Sequence, residues 1–263
     1  MKLHARIDGI GVLGPGLTGW PQAREVLGAR AALEERPTVL PAPELLPAAE
    51  RRRTGKSIRV ALATGLEAAA AAGLAARDCA AVFTSSSGDG DNCCAICESL
   101  ATEERQISPT RFHNSVHNAP AGYWGIATGS MQSADSLCAF DASFAAGLLE
   151  AAARLATNPV EPVIVVAYDS PYPEPLNAVR PLPDAFGAAF ALTAGPRGPG
   201  TPVAFELTGE TPTTLDDPRL ESMRLSIPAA RSLPLLQLLA RGGAGRVVLE
   251  YLDGLSLAVE VGP

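Results

Sequence analysis

An α/β fold with a buried sheet is the expectation, and three observations carry it. Residues 161–169 (Glu-Pro-Val-Ile-Val-Val-Ala-Tyr-Asp) form a nearly continuous apolar run, the pattern of a strand covered on both faces. Just upstream, residues 134–154 read as a short strand, a sharp turn at Cys138 to Asp141, and an apolar, Ala-rich helix. Strand, helix and strand then make one right-handed crossover unit. The composition agrees. Of 263 residues 47% are hydrophobic but only 5% aromatic, so small side chains can bring helices close to a sheet in one large domain.

The elements follow in order. Residues 3–13 read as the first strand, residues 14–19 as a turn rich in Gly and Pro, and Trp20 to Leu27 as a short helix. Prolines at 37, 41, 43 and 47 make an extended surface segment. Residues 50–73 read as one long helix with Ile58, Leu62 and Leu66 on its apolar face, beside Ala61, Gly65 and Ala69. Arg51, Arg52, Arg53, Lys56 and Arg59 crowd its first half, either as a solvated helix end or as a docking patch for an acidic partner. Residues 79–85 are a buried strand.

The glycine-rich turn after that strand (Ser86-Ser-Gly-Asp-Gly-Asp) lacks the Gly-Lys-Ser/Thr of a phosphate loop and the closing Glu of a calcium loop. Asp91 is expected to cap a helix over 92–102. A turn at Ser108-Pro109 and a helix over 116–127 come next. His113 and His117 share a helix face only if that helix begins early, and no Glu stands between them as in a zincin. Histidines held by backbone carbonyls or by Asn118 are the preferred reading. Beyond residue 169, five prolines make 170–183 a loop. Strands over 184–194 and 201–209 flank a turn at 195–200, and a leucine-rich helix spans 228–241. Strands 246–252 and 255–261 are joined by Asp253-Gly254, a two-residue hairpin signal.

Charge and cysteine content narrow the function. With 21 Lys and Arg against 28 Asp and Glu, the net charge of −7 argues against a nucleic-acid or anionic-membrane binder. No apolar run approaches the roughly 20 residues that span a bilayer. Residues 1–7 lack a signal-peptide apolar region, so the expected compartment is the cytoplasm. Five cysteines, Cys79, Cys93, Cys94, Cys97 and Cys138, are an odd set for a disulfide framework. Cys94-Ala-Ile-Cys97 lacks a second ligand pair for zinc. It reads as small apolar residues on a buried helix, with a redox dithiol at a helix start as the alternative. Neither a metal nor a cofactor is expected.

The stretch at 108–127, Ser-Pro-Thr-Arg-Phe-His-Asn-Ser-Val-His-Asn-Ala-Pro-Ala-Gly-Tyr-Trp-Gly-Ile-Ala, resembles the Ser-Pro…Asn-Ala-Ala-Gly helix of β-ketoacyl synthases. The elbow at 134–154 resembles their Cys-Ala-Ser nucleophile turn with its helix. Residues 53–73 and Ala185-Phe-Gly-Ala-Ala-Phe-Ala-Leu resemble two further elements of the same family. The resemblance covers residues 3–194. It is strongest to the short ketosynthase-like subunits called chain length factors, found with aryl polyene-type polyketide and fatty-acid pathways.

The resemblance implies one half of a thiolase-like fold, a mixed five-stranded sheet between helix layers. The core would be 1–194, within a single domain of 1–263 whose residues 195–263 form a truncated helix and hairpin extension. The histidine pair and lysine of a full condensing enzyme's second half have no counterpart, since the histidines here are His4, His113 and His117. Matching Gly147 to the glycine of the family's elbow helix puts the nucleophile position on Ala139, with Cys138 one residue early and facing the other way.

Three functions are therefore weighed. The first is a non-catalytic chain length factor that pairs with a full-length ketosynthase and shapes its acyl tunnel. Asn118, Tyr123, Trp124, Cys138, Ala139, Phe140, Asp141 and Phe144 would then bound the tunnel or dimer interface, and packing in the core is the plainer role for the aromatics. The second is a stand-alone acyltransferase or thioesterase using Cys138 with His117 as base. The third is a homodimeric scaffold that recruits acyl carrier protein through Arg51, Arg52, Arg53, Lys56 and Arg59.

Overall fold

The computed structural model describes residues 2–195 and 198–262. Among these, eight strands form one mixed sheet in the order β3-β2-β4-β5-β1-β6-β8-β7. They are β1 (Leu3–Leu13), β2 (Ala80–Thr84), β3 (Ala134–Leu137), β4 (Val163–Asp169), β5 (Phe186–Thr193), β6 (Thr201–Thr208), β7 (Gly245–Leu252) and β8 (Leu255–Val261). The helices are α1 (Trp20–Leu27), α2 (Ala48–Arg51), α3 (Lys56–Ala71), α4 (Gly90–Leu100), α5 (Pro109–Asn114), α6 (Ala119–Thr128), α7 (Ser143–Thr157), α8 (Leu176–Val179), α9 (Pro218–Ser226) and α10 (Leu233–Arg241).

The expected α/β architecture holds, but the sheet has eight strands where five were expected. The reason is β1. It pairs antiparallel with β5 along one edge, and its first five residues pair antiparallel with β6 along the other. β6 then pairs with β8, so the C-terminal hairpin joins the same sheet instead of standing apart.

β2 and β4 run parallel, and every residue in both is buried. Their alternation splits the core in two. Val82, Val163, Val165 and Ala167 face a layer built on α1, α7 and α10. Ala81, Phe83, Ile164, Val166 and Tyr168 face α3 and α6. α7 touches both β3 and β7, so the twisted sheet wraps round it from opposite ends. On the other face α3 packs almost backbone to backbone on β1. A methyl at Gly9 would lie 2.6 Å from the Ala72 backbone nitrogen. A methyl at Gly65 of α3 would lie 2.9 Å from the Trp124 ring. Small residues are what the close approach requires.

Several element boundaries differ from expectation. The helix expected over 50–73 is two helices. It breaks at Gly55, which is extended and packs against Asp89; a methyl there would lie 2.6 Å from Asp89 Oδ2. The cap of α4 is Asp89, not Asp91. Asp89 Oδ1 accepts the Asn92 N–H at 3.0 Å, while Asp91 pairs with Lys56. The helix expected over 116–127 starts at Ala119, with Pro120 in its first turn, and a separate α5 begins at Pro109. The helix expected over 228–241 opens as a 3₁₀ turn (Pro228–Ser232) before α10. α8 and α9 were not foreseen. The turn expected at 195–200 includes Pro196 and Arg197, which lie outside the described residues.

The largest correction concerns α4. It was expected to be buried, yet none of its residues is, and Cys93 and Cys97 are exposed. No helix among the described residues is long and apolar enough to cross a membrane.

Candidate functional site

The elbow is where the sequence places its chemistry, and the fold explains its shape. β3 lies parallel to β2 at the end of the sheet. The chain leaves β3 at Cys138, passes through a single 3₁₀ turn (Phe140–Ala142) and enters α7. The reversal forces one residue into a left-handed conformation. That residue is Phe140, with φ at 53°. A strained strand-to-helix turn of this kind is the geometry that exposes a nucleophile, and for a non-glycine residue it costs about 1–3 kcal/mol. The strained position is thus Phe140, one residue beyond the Ala139 expected from matching Gly147. Ala139 itself has φ −128°.

Ser143 holds the turn. Its buried hydroxyl accepts the Ala139 N–H at 3.0 Å and lies 2.6 Å from the Phe140 carbonyl and 3.2 Å from the Ser85 carbonyl. The Ala139 N–H is thereby used within the turn and is not free to meet an oxyanion. On the outer side, the Arg180 guanidinium lies 3.5 Å from the centroid of the Phe140 ring and pairs with Asp141. Asp141 also meets Arg231 at 3.1 Å. Arg231 meets Glu250 at 2.6 Å, and Glu250 meets Arg224 at 3.1 Å. A chain of alternating charges therefore ties the elbow to the C-terminal strands.

Cys138 is exposed, and its thiol donates to the Ser86 carbonyl at 3.1 Å. His117 sits between α5 and α6, with Nε2 3.3 Å from the Ser85 carbonyl. The two side chains thus meet adjacent carbonyls at the end of β2, but among the described residues no hydrogen bond joins them. His113, on α5, packs edge-on to Tyr123 at 6.2 Å between ring centroids, so His113 and His117 do not share a helix.

The carbonyls are fixed from below by Asp169. Its Oδ1 accepts the Ser86 N–H (2.9 Å), the Ser86 hydroxyl (2.7 Å) and the Ser85 hydroxyl (3.2 Å), and its Oδ2 accepts the Ala229 N–H (2.8 Å). Burial pushes the Asp169 carboxyl up, and these four hydrogen bonds pull against that.

The other expected site residues separate into two groups. Phe140 is 60% exposed, and Asn118 is exposed at the start of α6. Tyr123, Trp124 and Phe144 are core residues, each 1% exposed. Tyr123 donates to Asn114 Oδ1 at 3.1 Å, Trp124 packs edge-on to Phe83, and Phe144 packs on Phe190. The basic cluster is largely occupied within the chain. Arg51 donates to the Glu44 and Leu46 carbonyls, and Arg59 to those of Leu40 and Pro41. Arg53 pairs with Glu50 and Lys56 with Asp91. Among the described residues Arg52 has no such contact.

Sequence reasoning missed Ser143, Asp169, Arg180 and Arg231. A serine in the first turn after the elbow was a visible signal for Ser143. The other three act across long sequence separations that no local pattern marks. The described residues hold no group of three His, Cys, Asp or Glu side chains placed to bind a metal ion.

Comparison with known proteins adds the family. The model for the β-ketoacyl synthase N-terminal domain matches residues 20–245. No curated protein matches the chain in sequence. Several solved structures share its fold over nearly their whole length. A chain of the ketosynthase ApeO in complex with its chain length factor ApeC, from Xenorhabdus doucetiae, superposes with a TM-score of 0.73 at 22% identity, covering 98% of this chain and 99% of that one. A chain of the ishigamide ketosynthase/chain length factor gives 0.70 at 12% identity, over 98% and 99%. A chain of the AntDE:AntF assembly, a type II PKS acyl-carrier protein in complex with its ketosynthase, gives 0.76 at 9% identity, over 100% and 99%. The fold is therefore the thiolase-like α/β fold of these ketosynthase structures. By the extent of the family match, this chain belongs to the β-ketoacyl synthase N-terminal domain family.

Proposed function

We propose that the chain is a non-catalytic β-ketoacyl-[acyl carrier protein] synthase-like subunit, a chain length factor. It pairs with a full-length ketosynthase and shapes the acyl tunnel at their interface, in aryl polyene-type polyketide or fatty-acid synthesis. The observation that carries this reading is the elbow. Its strained position holds Phe140, which has no nucleophilic atom, and the nearby Cys138 thiol is engaged by a carbonyl instead of a base.

The pairing face in this reading is the open side of β3. Ser133 and Leu137 turn their carbonyls to β2, so the alternate residues Ala134 and Ser136 present N–H and C=O groups outward. Met131, Phe112, Val116, Ile126 and Phe140 are exposed apolar side chains on the same stretch of chain, residues 112–140. Acyl carrier protein would dock on the assembled pair, with Arg52 the member of the basic cluster best placed to meet it.

Co-expression with a full-length ketosynthase from the same host tests the reading. The two chains should co-purify in equal amounts. A chain that stays alone and turns over acyl thioesters, losing that activity in Cys138→Ala, would instead establish a stand-alone acyltransferase. A stable homodimer that binds carrier protein and ignores the ketosynthase would establish the scaffold.

A further inference from the structure

Cys93-Cys94-Ala-Ile-Cys97 has no part in that function, and its setting is unusual. All three cysteines lie on α4, a helix that buries none of its residues. At 3.6 residues per turn, positions 93, 97 and 94 fall within an arc of about 100° on one face. Cys93 Sγ is 3.7 Å from the Ser115 carbonyl, and Cys94 Sγ is 3.7 Å from both Glu98 Oε1 and the Glu174 carbonyl. Cys97 is exposed. The groups that could bind a metal ion do not converge here, so the chemistry these thiols offer is their own oxidation.

We propose that Cys94 and Cys97 form an oxidisable dithiol that closes an intrahelical disulfide by exchange with a small disulfide such as oxidised glutathione. The proposal stands independently of the pairing with a ketosynthase. Cys97 is exposed and, among the described residues, its sulfur meets no carbonyl or carboxylate as those of Cys93 and Cys94 do, so it is the first attacker. The Cys97 thiol loses its proton to solvent, and its sulfur attacks one glutathione sulfur. The S–S bond breaks and one glutathione thiolate leaves. The deprotonated Cys94 sulfur then attacks Cys97 Sγ of the mixed disulfide and expels the second glutathione. Two protein thiols are oxidised, one glutathione disulfide is reduced, and Cys93 stays a thiol.

The fold makes this closure feasible at this place. Side chains three apart on a helix hold their Cβ atoms about 5–6 Å apart, whereas a disulfide needs about 3.5–4.5 Å. The helix must therefore unwind locally. In α3 or α7 that would disrupt the core. α4 itself carries no buried side chain, and what is lost is helix hydrogen bonds and the Cys94 thiol contacts to Glu98 and the Glu174 carbonyl.

The whole chain, incubated with oxidised glutathione and then alkylated under denaturing conditions, gives a direct test. Fragment masses should map a Cys94–Cys97 bond with Cys79, Cys93 and Cys138 alkylated. Amide exchange in α4 should become at least about tenfold faster, and dithiothreitol should reverse it. Cys97→Ser should show neither the bond nor the faster exchange. Alkylation of all three α4 thiols after oxidation, a bond between any other pair, or unchanged exchange in the oxidised chain would overturn the proposal.

Discussion

The two edges of the sheet are finished in opposite ways. At β7 the outward backbone groups of Val248, in the middle of the strand, are taken up within the chain. Thr213 donates its N–H to the Val248 carbonyl at 2.8 Å, and its hydroxyl accepts the Val248 N–H at 2.9 Å. Arg246 on the same strand pairs with Glu210 and Glu260. Among the described residues nothing plays the part of Thr213 at β3. Among the described residues its outward groups at Ala134 and Ser136 are open and the Ser136 hydroxyl is buried without a partner, and Met131 beside it is 96% exposed. An open edge is a template for adding another strand, and proteins usually close or charge the edges they do not use. A chain that occupies the outward groups of Val248 on β7 and, among the described residues, leaves those of β3 open supports the proposal that β3 is the edge kept for a partner.

Proline at the open edge should have the largest effect. Ser136→Pro removes an N–H that faces away from β2, and edge positions tolerate proline. The chain should fold normally by circular dichroism while its affinity for a co-expressed ketosynthase falls at least about a hundredfold, the loss of a main-chain pairing. Ala134→Pro should do the same. Either variant pairing like the wild type would remove β3 from the interface.

Ser143→Ala should come next. It leaves the Ala139 N–H and the Phe140 carbonyl without their buried partner, so denaturant unfolding should show a loss of about 1–3 kcal/mol. A change within error would mean that the elbow holds its shape without this hydroxyl. Thr213→Val at the closed edge should cost about 1 kcal/mol. It should also make the chain self-associate through β7 on concentration, as light scattering would detect. A variant that stays monodisperse would show that Thr213 is not what closes the edge.

The smallest effect is at alkaline pH. Burial pushes the Cys79 thiol up to about 11 from 9.0, with Asp78 and Glu161 adding to it. The folded state therefore keeps this proton where the unfolded state has lost it, and stability should fall as pH rises from about 9 to about 11. Cys79→Ala should flatten that limb of the stability curve. Parallel curves for the two proteins would contradict it.

Much of the fold was legible because its patterns are local. The bounds of β1, α1 and β8 follow directly from periodicity and turn residues, and the crossover through β3, α7 and β4 follows from the apolar run and the elbow. What was not legible depends on contacts made at a distance. Whether β6 to β8 extend the main sheet turns on β1 pairing along both edges. The break at Gly55 depends on Asp89, more than thirty residues away. The exposure of α4 could not be seen, since Ala, Ile and Cys at helical spacing look the same on a core face and on a bare one. At the site, Cys138 and His117 are candidates on their chemistry alone. The strained position is Phe140 because of backbone geometry, and the Arg180 and Arg231 links to Asp141 span 39 and 90 residues.

In the proposed function this subunit lends its partner shape and not chemistry. Condensation of acyl carrier protein thioesters by the co-purified pair, measured with wild-type chain and with Cys138→Ala, tests it most directly. The same rate and the same product length are expected for both. Loss of product with Cys138→Ala, while the pair still forms, would contradict it.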